Sequence, residues 1–260
     1  MGVLSVSPQL KGGLGNFLFQ ISAAYYVSLR DNREFIVDVS DLSEGHSSLK
    51  LYLDNIFRKI KFISHYNNGF IHEPTQPIKY SEIPNPNSNL KLKGYYQNEN
   101  YIKHIRQEIL DLFEIDDRTK NFLNEKYSKL LKTQNCSLHI RRGDYLKSNG
   151  FHPTQSIEYY ENAISIIGND VNYLIFSDDI EWCKSNLDFI TNKTYITNNL
   201  DYQDLYLMSM CENNIIANSS FSWWGAWLNK NNNKVIYPSN WFGVSFLDTS
   251  EIGCDGWLKI

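Results

Sequence analysis

The chain has 260 residues, a length for one large domain or two small ones, and its 42% hydrophobic and 21% charged residues describe a globular core and exclude disorder. A net charge of −4 excludes a general basic surface for nucleic-acid phosphates, while leaving room for one local positive site. No apolar run nears the span of about 18 residues that a membrane helix needs. The start, Met1-Gly2-Val3-Leu4-Ser5-Val6, lacks the features of a signal peptide, and Cys136, Cys183, Cys211 and Cys254 are scattered without a CxxC pair. The expectation is a cytoplasmic protein with reduced thiols, in which the Asn231-Asn232-Asn233 run is loop bias.

In chain order, the first 40 residues predict a Rossmann-like βαβ opening. A strand at Val3–Ser7 is followed by the glycine turn Lys11–Asn16, a helix at Phe17–Leu29 and a strand at Phe35–Val39. Residues 41–88 give only a short helix near Leu53–Lys59 and a loop at Pro84-Asn85-Pro86-Asn87. Leu90–Gln97 alternates like a strand, and helices are predicted over Glu99–Phe113 and Asp116–Leu131, with Asp116 and Asp117 capping the second. Strands and helices then alternate: strand Cys136–Arg141, helix Ser156–Ile167, strand Asn172–Phe176, helix Asp179–Leu187 and a strand near Tyr195. Helix Tyr202–Cys211, strand Asn214–Ala217, helix Phe221–Asn229 and strand Lys234–Tyr237 complete the pattern. Such alternation predicts a parallel sheet covered on both faces. The boundary between two halves is expected at 133/134, giving domains 1–133 and 134–260, with the last helix or tail packing back on the first.

Only 7 of the 25 basic residues are arginine, and two are adjacent in His139-Ile140-Arg141-Arg142-Gly143-Asp144-Tyr145. Alternation puts Ser137, His139 and Arg141 on one face of the strand and Leu138, Ile140 and Arg142 on the other. Both arginines fall at the strand's carboxyl end, where open α/β sheets bind ligands. A guanidinium fork suits phosphate in a way that lysine cannot reproduce. Structural ion pairs with Asp144 and another carboxylate are an equal alternative.

Asn218-Ser219-Ser220-Phe221-Ser222 follows an apolar strand and opens a helix, so its N–H groups and hydroxyls can face an anion; an ordinary serine cap is the plainer reading. Trp223, Trp224 and Trp227 read as core. In the turn Gly12-Gly13-Leu14-Gly15-Asn16, glycine permits close backbone approach. It is no dinucleotide fingerprint, because Leu18 stands where the third glycine would be. Asp178-Asp179-Ile180-Glu181 and Asp201-Tyr202-Gln203-Asp204 fit capping boxes, and a carboxylate at either site could instead accept two N–H bonds from guanine. The sequence has no Asp-x-Asp and no residue cluster with metal-ligand spacing. A diphosphate would therefore be held by arginine and helix N-termini without a metal.

Taken in order, these segments resemble glycosyltransferase family 11, the α-1,2-fucosyltransferases. The likeness is carried by GGLGNFLFQ from Gly12, GYYQNENYI from Gly94, HIRRGDY from His139 and FSDDIEWCK from Phe176. It continues through DLYLMSMCENNIIANSSFSWWGAWLN from Asp204 and VIYPSNWF from Val235, and so runs essentially end to end. The least family-like part is 45–88, where acceptor selection is expected. The resemblance implies an α/β fold of GT-B type, two Rossmann-like domains facing a central cleft, with acceptor on the first and GDP-fucose on the second. It implies inverting, metal-independent transfer of L-fucose from GDP-β-L-fucose to the 2-hydroxyl of a galactoside-terminated oligosaccharide, with no cofactor, nucleic acid or membrane partner. It resembles the soluble bacterial or viral members.

Carried over by position, Arg141 would hold the β-phosphate and Arg142 would support it. His139 and Asp204 would lie near guanine and ribose, with Asp178 as a further donor-site carboxylate. Ser219, Ser220, Phe221 and Ser222 would meet the diphosphate, and Gly13 and Asn16 would approach it across the cleft. Asp144 is the candidate base for the acceptor hydroxyl, or else only orients Arg142 or the loop. Competing readings are a protein O-fucosyltransferase, a sugar- or nucleotide-binding protein without turnover, and, remotely, a glycoside hydrolase using Asp178 and Asp179.

Overall fold

A computed structural model describes residues 3–40, 47–231 and 234–260. Met1, Gly2, part of the polar stretch after 40, and Asn232 and Asn233 lie outside the described residues. The chain divides into two compact units, Met1–Asp116 with Leu247–Ile252, and Asp117–Phe246 with Gly253–Ile260.

The first unit opens with β1 (Ser5–Pro8) and α1 (Leu14–Asp31), which starts three residues earlier than its apolar periodicity suggests because Gly13 serves as N-cap. Asn32 ends the helix in the left-handed conformation (φ 51), its N–H bonding back to the Ser28 carbonyl. The single strand expected over 35–39 is two: β2 (Glu34–Phe35) pairs with β1, whereas β3 (Val37–Asp38) leaves for a separate pair with β4 (Phe62–Ile63). α2 (Ser47–Leu53) precedes the position read from sequence. β5 (Phe70–His72) and β6 (Leu90–Leu92) complete a parallel sheet of order β2-β1-β6-β5. The helix expected over 99–113 is two short 3-10 turns followed by α3 (Arg106–Leu112).

The second unit contains α4 (Asp117–Lys126), β7 (Asn135–Ile140), α5 (Ile157–Ile167), β8 (Asn172–Ser177), α6 (Ile180–Asn186) and β9 (Lys193–Tyr195). α7 (Asp201–Ser209), β10 (Asn213–Ile215), α8 (Ser220–Trp227), β11 (Val235–Tyr237) and β12 (Leu258–Lys259) follow. All six strands are parallel in the order β12-β11-β10-β7-β8-β9. Renumbered within the unit this is 6-5-4-1-2-3, the Rossmann order, and the direction of winding reverses between β7 and β10. Cys136, Leu138 and Ile140 of β7 enter one core with Tyr159, Tyr160 and Cys183. Trp223, Trp224 and Trp227 are buried against one another, as expected, and all four cysteines are free and buried.

The division falls at 116/117 and not at 133/134. α4 belongs with α7: Lys126 Nζ and the Tyr127 hydroxyl both donate to Asn199 Oδ1, at 2.7 and 3.0 Å. Residues 247–252 belong to the first unit through Lys79–Asp248 (2.8 Å) and through Glu251, which accepts bonds from Tyr80 N and Asn98 Nδ2. The terminal residues instead form β12 on the second sheet. No helix among the described residues is long and apolar enough to cross a membrane.

Candidate active site

The reversal point between β7 and β10 is where a parallel sheet of this order leaves a crevice at its carboxyl edge, and the singled-out residues of the second unit collect there. Ile215 pairs with Leu138, so the segments leaving the two strands run side by side. Three bonds tie the loops together. The Tyr145 hydroxyl donates to the Asn218 carbonyl at 2.8 Å, and buried Asn218 donates through Nδ2 to the carbonyls of Pro153 and Trp241. Burial pushes the Tyr145 phenol up to about 12, so it stays a donor.

Arg141 leaves β7 between two carboxylates, with Nη2 at 2.7 Å from Asp144 Oδ1 and Nη1 at 3.2 Å from Asp178 Oδ2. Its guanidinium lies 5.6 Å from the centre of the Tyr145 ring. A guanidinium carries five N–H donors, so two braces fix the plane and leave three directions for a ligand. The ion pairs weighed from sequence are thus present, and they orient the fork without using it up. Arg142 turns to the other face, as alternation requires. Its Nε reaches Asp179 Oδ2 at 3.2 Å and its guanidinium stacks 3.9 Å over Trp182, while its backbone N–H donates to Asp178 Oδ1. Arg142 positions Asp178; its own charge is spent on α6. Asp144 pairs with Arg141 and not with Arg142, and two-thirds of its side chain is exposed.

Asp178 and Asp179 divide the work of one acidic pair. Asp179 caps α6, its Oδ1 accepting from Trp182 N, while Asp178 braces the arginines. At α7 the expected box is displaced by one residue: Leu200 is the N-cap, Gln203 Oε1 accepts from its N–H, and Asp201 is the first helical residue. Asp204 follows β9 at the same sheet edge and accepts a 2.7 Å bond from Asn199 Nδ2; burial pushes its carboxyl up to about 6.

His139 is buried with Nδ1 lacking a hydrogen-bond partner, and its ring centre is 5.7 Å from that of Phe221. Burial, then the Arg141 charge, pushes its pKa down to about 3, so the imidazole is neutral. Ser219 occupies the N-cap of α8 and makes no side-chain capping bond to its first turn. Ser220 and Phe221 stand on that turn. Ser222 differs from expectation: its hydroxyl is buried and bonded back to the carbonyls of Ala217 and Ser219, so only its backbone can meet an anion.

Gly13 and Asn16 sit at the carboxyl end of β1 in the first unit, where Asn16 Oδ1 accepts from Gln97 Nε2 at 2.8 Å. Sequence reasoning assigned no individual role to Tyr145, Asn218, Gly143 or Trp182, although Gly143 and Tyr145 stand in the arginine motif, Asn218 opens the serine stretch and Trp182 lies in FSDDIEWCK.

The model of glycosyl transferase family 11 matches residues 5–260. The chain is 32% identical to the O-antigen biosynthesis glycosyltransferase WbnK of Escherichia coli, over 96% of this chain and 99% of that one. It is 31% identical to an alpha-1,2-colitosyltransferase of Escherichia coli, over 98% of each. Among solved structures, the fucosyltransferase NodZ from Bradyrhizobium shares the fold, with a TM-score of 0.60 at 12% identity over 87% of this chain and 93% of that one. The GT-B class expected from sequence is therefore the fold observed, each unit carrying a parallel α/β sheet.

Proposed function

The chain belongs to glycosyl transferase family 11, and from that premise we propose that it transfers L-fucose from GDP-β-L-fucose to the 2-hydroxyl of a terminal β-galactoside, with inversion and without a metal ion. The observation that carries this reading is the Arg141 fork, braced by Asp144 and Asp178 beside the N-terminus of α8 at the winding reversal.

In this reading the bond between fucose C1 and the β-phosphate oxygen breaks and its electron pair stays on GDP, while the galactose oxygen bonds to C1 from the opposite face. The charge that grows on the β-phosphate meets the remaining N–H groups of Arg141 and those of α8. Donors that bind this charge more tightly in the transition state than before it lower the barrier. Neutral His139 and the Asp204 carboxyl face guanine and ribose. The hydroxyl proton leaves to solvent or to Asp144; since Asp144 Oδ1 is already taken by Arg141, bracing is the role favoured for it.

Similarity to an alpha-1,2-colitosyltransferase favours a second donor, GDP-colitose, whose sugar is fucose without the 3-hydroxyl. The two are separated by offering each donor with lactose in EDTA. Transfer from GDP-fucose under these conditions is expected. Activity that appears only with GDP-colitose, or only after manganese or magnesium is added, would refute the proposal.

A further inference from the structure

A cavity of about 270 Å³ lies wholly within the first unit, at the carboxyl edge of its sheet. Lys11 enters it from the segment after β1, Glu73 and Pro74 from after β5, and Lys93 and Tyr95 from after β6. Its walls are fixed. Gln20, almost fully buried, accepts from Lys11 N at 3.0 Å and donates to the Lys11 carbonyl at 3.1 Å. Gly94 has φ +139, and a Cβ there would stand 2.8 Å from the Pro74 ring. Tyr96 holds a left-handed φ of 52, rare for a residue with a side chain, and is anchored to His72 twice, its hydroxyl donating to the carbonyl and lying 2.9 Å from Nδ1. Backbone held in such conformations clusters at ligand sites, where surrounding structure over-determines it.

The chemistry at the mouth is specific. His72 and Leu92 are register partners, so Glu73 and Lys93 leave their strands side by side and pair at 3.0 Å. Both side chains are at least half exposed, and an ion pair so exposed adds little to stability. What the pair offers is a carboxylate acceptor next to an ammonium donor, which matches two adjacent hydroxyls of a sugar ring. Tyr95 supplies an aromatic wall for the ring's C–H face, and the prolines keep the site preformed. The volume lies just under the roughly 300–1,000 Å³ of pockets for drug-sized ligands, room for one or two sugar rings. The Glu73–Lys93 pair is neutral as a unit, so it offers a donor and an acceptor to hydroxyls and not a site for a charged group, with Lys11 as the one further charge in the lining.

We infer that this cavity is an acceptor subsite that holds an uncharged sugar residue through Glu73 and Lys93 against Tyr95; the inference rests on the galactoside transfer proposed above. Glu73→Gln and Lys93→Met test it, each assayed with methyl β-galactoside and with lactose, while calorimetry of GDP binding verifies the fold. Acceptor KM is expected to rise about tenfold or more on at least one acceptor, the equivalent of one charge-assisted hydrogen bond, with GDP affinity within about twofold of wild type. An unchanged acceptor KM in variants that bind GDP overturns the subsite and leaves galactoside transfer standing. A sulfated or carboxylated galactoside preferred to lactose overturns the uncharged ligand. Wild-type protein that binds GDP-fucose but transfers to neither sugar overturns the function and this inference together.

Discussion

Gly143→Ala isolates the brace on Arg141 with a single methyl group. A Cβ at Gly143 would stand 2.7 Å from Asp178 Oδ2 and 3.2 Å from its Cγ, and the three nearest atoms it would meet all belong to that side chain. The backbone there is not left-handed, so the closest conflict is with Asp178. The carboxylate cannot swing aside freely, because Oδ1 accepts from Arg142 N at 2.9 Å while Oδ2 faces Arg141 Nη1 at 3.2 Å. Losing the partly exposed ion pair costs about 0–1 kcal/mol, and weakening the bond from Arg142 N adds up to about 1.5–3 kcal/mol. A loss of about 1–3 kcal/mol is therefore expected, each kcal/mol lowering the melting temperature by about 2–4 °C in a chain of this size. Turnover should fall further, about ten- to a hundredfold, because a reacting group displaced by about 1 Å can lose 10²-fold. Turnover and thermal melts are to be measured for Gly143→Ala, Asp178→Ala and the double variant. If alanine acts through Asp178, it adds almost nothing once Asp178 is gone. An equal loss in the Asp178→Ala background would refute the reasoning.

Asp144→Asn removes an exposed brace, so transfer is expected to stay within about tenfold and GDP to bind up to about fivefold tighter; a loss of about 10²-fold or more with GDP binding intact would restore Asp144 as the base. Asp204 has a folded pKa of about 6 against an ordinary 3.8, so its protonated form is favoured by folding, and stability falls as pH rises between those values. Asp204→Asn should therefore gain on wild type between pH 4.5 and 7.5, by at most about 2 kcal/mol, since the side chain is only partly buried; urea melts showing no gain would refute the burial argument. The Tyr96 hydroxyl spends its one proton on the His72 carbonyl, so its contact with Nδ1 requires the proton on that nitrogen, and burial lowers the His72 pKa. Nitrogen NMR at pH 7 should show the neutral Nδ1–H tautomer, and an Nε2–H ring would contradict it.

The second unit was legible because its signals are periodic and local. The strands from 135 to 237 are short runs set between helices, apolar in β8 and β11, and Ser156 and Asp179 cap the helices they precede. The order of those strands was not written in any of them: that β10 lies beside β7, which brings Asn218 to Tyr145, follows from handed crossovers over the whole sheet. The first unit was harder because its strands are two to four residues long, too short for alternation to register. Phe35 and Val37 look like one strand and belong to two sheets. The division between the units at 116/117 was missed, although the helix itself was read, because α4 is assigned by what it packs on, Asn199, which lies over 70 residues away. Ser222 shows the same limit at the site, since a serine in a first helical turn reads alike whether its hydroxyl faces a ligand or its own backbone.

The charges around Arg141 separate binding from catalysis. Two guanidiniums, Arg141 and Arg142, stand against three carboxylates, Asp144, Asp178 and Asp179, so the cluster carries a formal −1. Net charge therefore cannot be what draws a diphosphate here, in a chain whose total is itself −4. What the cluster supplies is direction: a fork held at both Nη atoms, on the loop that Tyr145 ties to the segment opening α8. Fixed dipoles of this kind gain more from charge that increases at one atom than from charge already spread over a ground-state ligand. A site built only for affinity would shed the carboxylates. In the proposed transfer, keeping them would cost some attraction for the ground-state nucleotide and would secure the alignment on which the departing phosphate depends, the balance that an enzyme needs and a binding protein does not.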